Sequence, residues 1–142
     1  MSRFTGSLAV RYMDDIADGR HAQLLEPLIW DCDYLGSGLQ VIVPAGFITD
    51  GASVPRILWP LLPPWGDKGT RAAMVHDYLL DMLRADTPVA GMDTREAIDW
   101  QFYLMLRALG VSEWRARSCY WGVSVYSAWV RCSKLVIGAD LP

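Results

Sequence analysis

The feature that most constrains this chain is a change of period near Pro64. Before it, apolar residues alternate as they do along half-buried strands; after it, they recur every three or four residues as on helices. "FTGSLAVRYM" places Phe4, Leu8, Val10 and Tyr12 on one face of a strand. "QLLEPLIWDCDYL" predicts a second strand, with Pro27 marking an edge or a bulge. "LQVIVPAGFIT" predicts a third and a fourth, interrupted by Pro44-Ala45-Gly46. The Gly-, Asp- and Ser-rich turns between them suit a small antiparallel sheet.

A first helix is predicted to open at or beside Thr70 and to run to about Ala85, with Ala73, Met74, Val75, Leu79, Met82 and Leu83 apolar. Asp93, with Glu96 three residues on, has the spacing of a capping box and starts a second helix. Ile98, Phe102, Met105, Leu106 and Leu109 keep its helical spacing until Gly110. Ser112 then caps a third helix, "EWRARSCYWGVSVYSAWVRCSKLV", in which Gly122 permits a bend. Strands first and helices afterwards predict an α+β fold. The expectation is a single domain, 1–142, with an N-terminal small antiparallel β-sheet (β-rich 1–60) followed by a three-helix C-terminal part (helical 68–136). A chain of 142 residues is long enough for one substantial core.

A net charge of −3 with no Lys/Arg run argues against a nucleic-acid partner, which needs a basic footprint. "CYWGVSVYSAWV" falls short of the roughly 18–20 apolar residues of a spanning helix, so no transmembrane segment is expected. It reads as a buried or partner-facing helix, with a membrane-surface helix as the lesser alternative. "MSRFTGSLAV" has no apolar leader core, and the expected location is the host cytoplasm, with the virion tail as the alternative. Cys32, Cys119 and Cys132 share no metal-type spacing and read as buried structural thiols of a reduced chain. Seven Trp imply some aromatic surface for a partner or a carbohydrate.

Several polar residues do not fit the periodic pattern. "AAMVHDYLL" puts His76 and Asp77 inside an apolar helix, where Asp is a poor choice because it competes for backbone groups. Neighbours on a helix point about 100° apart, so both can border one cleft without stacking. Asp99, in "REAIDWQF", sits at the margin of the Ile98/Phe102 stripe, within reach of a crevice between helices. Asp50 lies at a strand exit in "GFITDGASVPRILWP", with Ser53 and Arg56 just beyond.

Asp50, His76, Asp77 and Asp99 thus form a candidate constellation. Imidazole with carboxylates is a donor set for one divalent metal, zinc or manganese, which lowers the pKa of a bound water. Without a metal, Asp50 or Asp99 could orient His76 as a general base, with Ser53 as nucleophile. Arg56 and Arg95 are the candidates for holding an anionic substrate group. The competing reading is structural: Asp50 serves its own turn, Ser53 caps a short helix, His76 is a hydrogen-bonded core residue, and the arginines neutralise the carboxylates. His21, in "DGRHAQ", receives no role. No GxSxG, HExxH, Walker-type or dinucleotide motif is present. "His-Asp" also evokes the HD phosphohydrolases, but the β-rich first third and the missing upstream histidine count against them.

Together, "FITDGASVPR", "AAMVHDYLL" and "REAIDWQFYLMLRALGV" resemble the phage and prophage family catalogued as domain of unknown function 1353. The matching positions are Phe47, Thr49, Asp50, Ser53, Pro55 and Arg56, then His76, Asp77 and Leu79, then Arg95 and Asp99. Ile98 stands where that family has Ala, and the third box carries one extra residue. The resemblance covers roughly Val41 to Trp129 and implies a phage or prophage origin, without implying a reaction. The functional expectation is a phage-encoded protein with an Asp/His pocket, acting as a metal-assisted hydrolase on cell-envelope material. The alternative is a non-catalytic tail or baseplate component. In that case its boxes form a buried polar network, its Trp59–Trp65 and Trp114–Trp129 segments are contact surfaces, and its partners are other virion proteins.

Overall fold

The computed structural model describes residues 3–13, 21–32, 38–49, 60 and 67–137. Among the described residues, six short strands come first: β1 (Arg3–Thr5), β2 (Val10–Met13), β3 (His21–Leu24), β4 (Leu28–Asp31), β5 (Gln40–Val43) and β6 (Ile48–Thr49). Three helices follow: α1 (Asp67–Arg84), α2 (Arg95–Ala108) and α3 (Glu113–Ile137). The architecture is α+β, as the change of period implies.

The first two predicted strands are each two strands meeting at a bend, while β5 and β6 are the expected third and fourth on either side of Pro44-Ala45-Gly46. β1, β4 and β5 form one antiparallel sheet in the order β1-β4-β5, and β2, β3 and β6 form another in the order β2-β3-β6. The bends fall at Gly6, at Leu25-Glu26-Pro27 and at Pro44-Ala45-Gly46. Gly6 and Gly46 adopt φ of 88° and 91°, a region glycine enters without steric penalty. Bonds from Leu24 N to Phe47 O and from Leu25 N to Ala9 O, both 2.8 Å, carry pairing across the corner. The result is a three-stranded meander folded over on itself, with the β3–β4 segment in the middle. The bend takes Tyr12 off the expected inner face and leaves it 49% exposed. His21 opens β3 opposite Met13 rather than lying in a loop.

The inner faces supply Ala22, Leu24, Leu28, Trp30, Val41 and Val43 to the core, all buried. α1 packs against this sheet at β4, β5 and β6 and against α2. Ala72 to His76 are consecutively buried, which is why the segment is apolar almost all round. α1 starts at Asp67, a turn earlier than its apolar pattern indicates.

Thr94, not Asp93, caps α2: its hydroxyl accepts from Ala97 N at 3.2 Å. Gly110, at φ 82°, ends the helix, with Gly110 N bonding Arg107 O and Val111 N bonding Leu106 O, the paired bonds of a Schellman stop. α3 runs on through Gly122 and packs against α2. Its outer side shows Trp114, Trp121, Val125 and Trp129, each at least 59% exposed. The other expected contact segment, Trp59–Trp65, lies outside the described residues apart from the exposed Pro60. No helix among the described residues is long and apolar enough to cross a membrane. Cys32 and Cys119 are buried free thiols, but Cys132 is exposed, on the solvent side of α3.

Candidate functional site

The misfit residues of α1 each meet a partner from a different element. His76 points to α2, where its Nε2 lies 2.8 Å from Asp99 Oδ1, with both side chains 3% exposed or less. Asp77, one residue on and about 100° round the helix, accepts a hydrogen bond from the Thr49 hydroxyl at the end of β6. The His76 ring also packs on Phe102, centroids 5.0 Å apart. Because α1 lies between sheet and α2, adjacent residues can reach both sides. The three sequence boxes are therefore chained by contact: the first to the second through Thr49–Asp77, the second to the third through His76–Asp99.

The pair has a chemical consequence. A carboxylate oxygen accepts only from a proton-bearing nitrogen, so in the neutral form of the ring the hydrogen is assigned to Nε2. The other nitrogen, Nδ1, then carries a lone pair. It is buried and has no hydrogen-bond partner among the described residues. Native interiors seldom leave such atoms unsatisfied, because each costs about 1–3 kcal/mol. A lone pair held in place by a carboxylate behind the ring is a proton acceptor or a metal donor.

Arg95 stands one turn before Asp99 on α2, half-buried. Burial first, then Arg84, pulls its guanidinium below its usual value, with Asp99 acting in the opposite sense. It makes no ion pair among the described residues. Arg131 instead bonds Glu96 at 2.6 Å and Arg84 bonds Asp81 at 3.0 Å, so the two neighbouring guanidiniums are already engaged.

Asp50, Ser53 and Arg56 lie outside the described residues, and with them the expected contact between Asp50 and His76. Of the expected set, the fold brings His76 and Asp99 into direct contact, with Asp77 next in chain but turned to Thr49. Among the described residues, no three His, Cys, Asp or Glu side chains are grouped so as to share a metal. Thr49 and Phe102 were not singled out from sequence as members of this cluster. Thr49 stands inside the first box, and Phe102 is one helical turn from Asp99, so both had a positional signal.

Comparison with known proteins places these contacts in a family. The family model described as "Protein of unknown function (DUF1353)" matches residues 23–123, which span both bonded pairs. An "Uncharacterized protein y4jT" from Sinorhizobium fredii is 33% identical over 104 residues, covering 70% of this chain and 28% of the relative. The chain thus matches little more than a quarter of that relative's length. No solved structure matches. With the model spanning most of the chain, and its boxes joined in space, the protein belongs to the DUF1353 family.

Proposed function

We propose that this chain is a hydrolytic domain centred on His76, with Asp99 as the carboxylate that orients it. The observation that carries the proposal is the buried Nδ1, without a partner among the described residues, in a ring whose Nε2 is bound to a carboxylate. In this reading Nδ1 takes a proton from water or donates to a divalent metal, zinc or manganese. Asp99 stands behind the ring as the outer partner of such a histidine, rather than as a ligand. Asp77 and Asp50 are then the remaining candidates for further donors, and Ser53 is the candidate nucleophile. A bound metal supplies the acidification of water at neutral pH. Arg95, half-buried and without an ion pair among the described residues, suits an anionic substrate group, and Arg56 is the second candidate for that role. A phage origin, on the family resemblance, and a cell-envelope substrate, as would suit a phage, complete the proposal.

The deciding measurement follows the imidazole nitrogens by 15N NMR while zinc or manganese is added, with elemental analysis and melts before and after chelator. A bare Nδ1 that responds selectively to one metal, with a melt raised by it, supports the metal form. An Nδ1 unresponsive to metal but titrating with pH supports the base form. An Nδ1 that does neither removes the catalytic reading.

A second reading rests on the near-complete burial of the pair. His76 and Asp99 are 1% and 2% exposed, as befits a polar network that locks α1 to α2 in a non-catalytic virion component. Mass spectrometry of purified phage particles from a lysogen carrying the gene tests it. Absence of the chain from the particle ends that reading.

A further inference from the structure

A separate cavity lies away from the His76–Asp99 pair, between α2, the ends of β4 and β5, and the α1–α2 connection. It encloses about 300 Å3, and its walls include Cys32, Leu39, Met92, Ala97, Trp100 and Gln101. Gln101 is two residues beyond Asp99, about 200° round the helix, so the two sites use different faces of α2. Gly91 borders the cavity at φ 79°, where a side chain would be strained.

The described walls are mostly apolar, with Gln101 as their placed amide. Gln101 is 5% exposed, and its Oε1 accepts the Trp30 indole N–H at 3.0 Å. That bond settles which end of the amide is engaged. The remaining end, the Nε2 amino group, makes no hydrogen bond among the described residues. Gln101 is among the residues lining the apolar space, and its two amide hydrogens have no acceptor among the described residues. Cys32 leans toward the Trp30 carbonyl at 3.9 Å, and burial pushes its thiol up to about 11, so it stays neutral. No Lys, Arg, Asp, Glu or His is among the described lining residues. Trp100, 43% exposed, is braced by stacking on Tyr103 at 4.9 Å and forms an aromatic wall.

We propose that this cavity is a binding site for a small uncharged ring compound bearing one carbonyl or hydroxyl oxygen. The oxygen accepts from Gln101 Nε2, while the ring packs among Met92, Ala97 and Trp100. Apolar walls with a few convergent polar groups are the usual make-up of ligand pockets, and this volume sits at the small end of their range of roughly 300–1,000 Å3. The absence of charge from the described lining disfavours an ion, whose burial would go uncompensated.

The test is a 1H–15N NMR titration of the whole chain with acetophenone, ethylbenzene and benzoate as probes. Acetophenone should shift the Gln101 side-chain amide and the Trp100 indole N–H saturably. Ethylbenzene, lacking the oxygen, should bind about tenfold more weakly, the worth of one hydrogen bond. Benzoate should bind more weakly still. Gln101→Glu keeps an oxygen for Trp30 but removes the amide donor, and should cost acetophenone about the same tenfold. Ala97→Phe fills the space and should abolish binding. Equal binding of ethylbenzene and acetophenone, tighter binding of benzoate, no shift at Gln101, or binding indifferent to both substitutions would each overturn the proposal.

Discussion

Two buried side-chain bonds tie α2 to its neighbours, and they behave as different kinds of object. Trp30–Gln101 joins α2 to the sheet through a neutral donor and a neutral acceptor. His76–Asp99 joins α2 to α1 through two groups that can each gain or lose a proton. Both are buried, and their bond lengths of 3.0 and 2.8 Å are close. What differs is what each leaves over. The neutral pair leaves the amide donor of a cavity-lining residue, whereas the ionisable pair leaves a buried ring nitrogen without a partner among the described residues. A neutral remainder is suited to recognising an uncharged molecule. A titratable one is suited to moving a proton or holding a metal.

The comparison is broken most severely at Asp99. Asp99→Ala should destabilise the fold by about 3 kcal/mol, because it removes a hydrogen bond to a carboxylate and leaves the buried His76 Nε2–H without that acceptor. The urea midpoint should fall with little change in slope. Trp30→Phe should cost less, about 1–3 kcal/mol, from leaving Gln101 Oε1 unpaired. Adding Gln101→Leu to it should recover most of that loss, since two apolar partners replace a satisfied neutral pair at little cost. A double-mutant cycle measures the coupling directly. Should the Trp30/Gln101 cycle show coupling as large as one at His76/Asp99, the distinction drawn between the pairs is lost.

A pH series sharpens the comparison next. Neither Trp30 nor Gln101 titrates, but the adjacent Cys32 does, and burial raises its thiol from 9.0 to about 11. Burial raises Cys119 to about 11 likewise. A group whose folded pKa is raised contributes stability in full below the unfolded pKa and loses it as pH climbs through the folded one. Stability should therefore decline between about pH 9 and 11, and the slope should flatten in the Cys32→Ala/Cys119→Ala double variant. At pH 8, a thiol reagent should modify exposed Cys132 first. Rapid reaction at Cys32 would contradict its burial.

The smallest effects belong to the ends of α2. Thr94→Ala should cost about 1 kcal/mol by removing the cap on Ala97 N, whereas Asp93→Ala should have little effect. Arg131→Ala, which breaks the exposed bridge to Glu96, should change stability by less than about 1 kcal/mol.

Much of the fold was legible because periodicity reports which side of an element is buried. The strand-to-helix order, three helices and the Gly110 stop all follow from it. The corner in the sheet did not, although glycine and proline marked each bend. Alternation runs unbroken through a bend, so period alone cannot show that Tyr12 turns outward. The α2 cap was misplaced by one residue because Asp93 and Thr94 are both good caps, and only backbone geometry chooses between them. At the site, misfit polarity singled out His76, Asp77 and Asp99, since each breaks an apolar stripe. Gln101 breaks the same stripe and was passed over, because an uncharged amide carries a weaker signal than a carboxylate.

The sequence by itself determined that this is an α+β chain in which a histidine and two aspartates occupy places that apolar residues would otherwise fill. Burial is unfavourable for such groups, so their positions alone mark them. Only the tertiary structure decided their partners: His76 with Asp99 across two helices, Asp77 with Thr49 across helix and strand, Trp30 with Gln101 across sheet and helix. The reason is geometric. Helical rotation sends adjacent residues in different directions. Which neighbour waits in each direction is set by how α1 and α2 pack, and local sequence does not encode that packing.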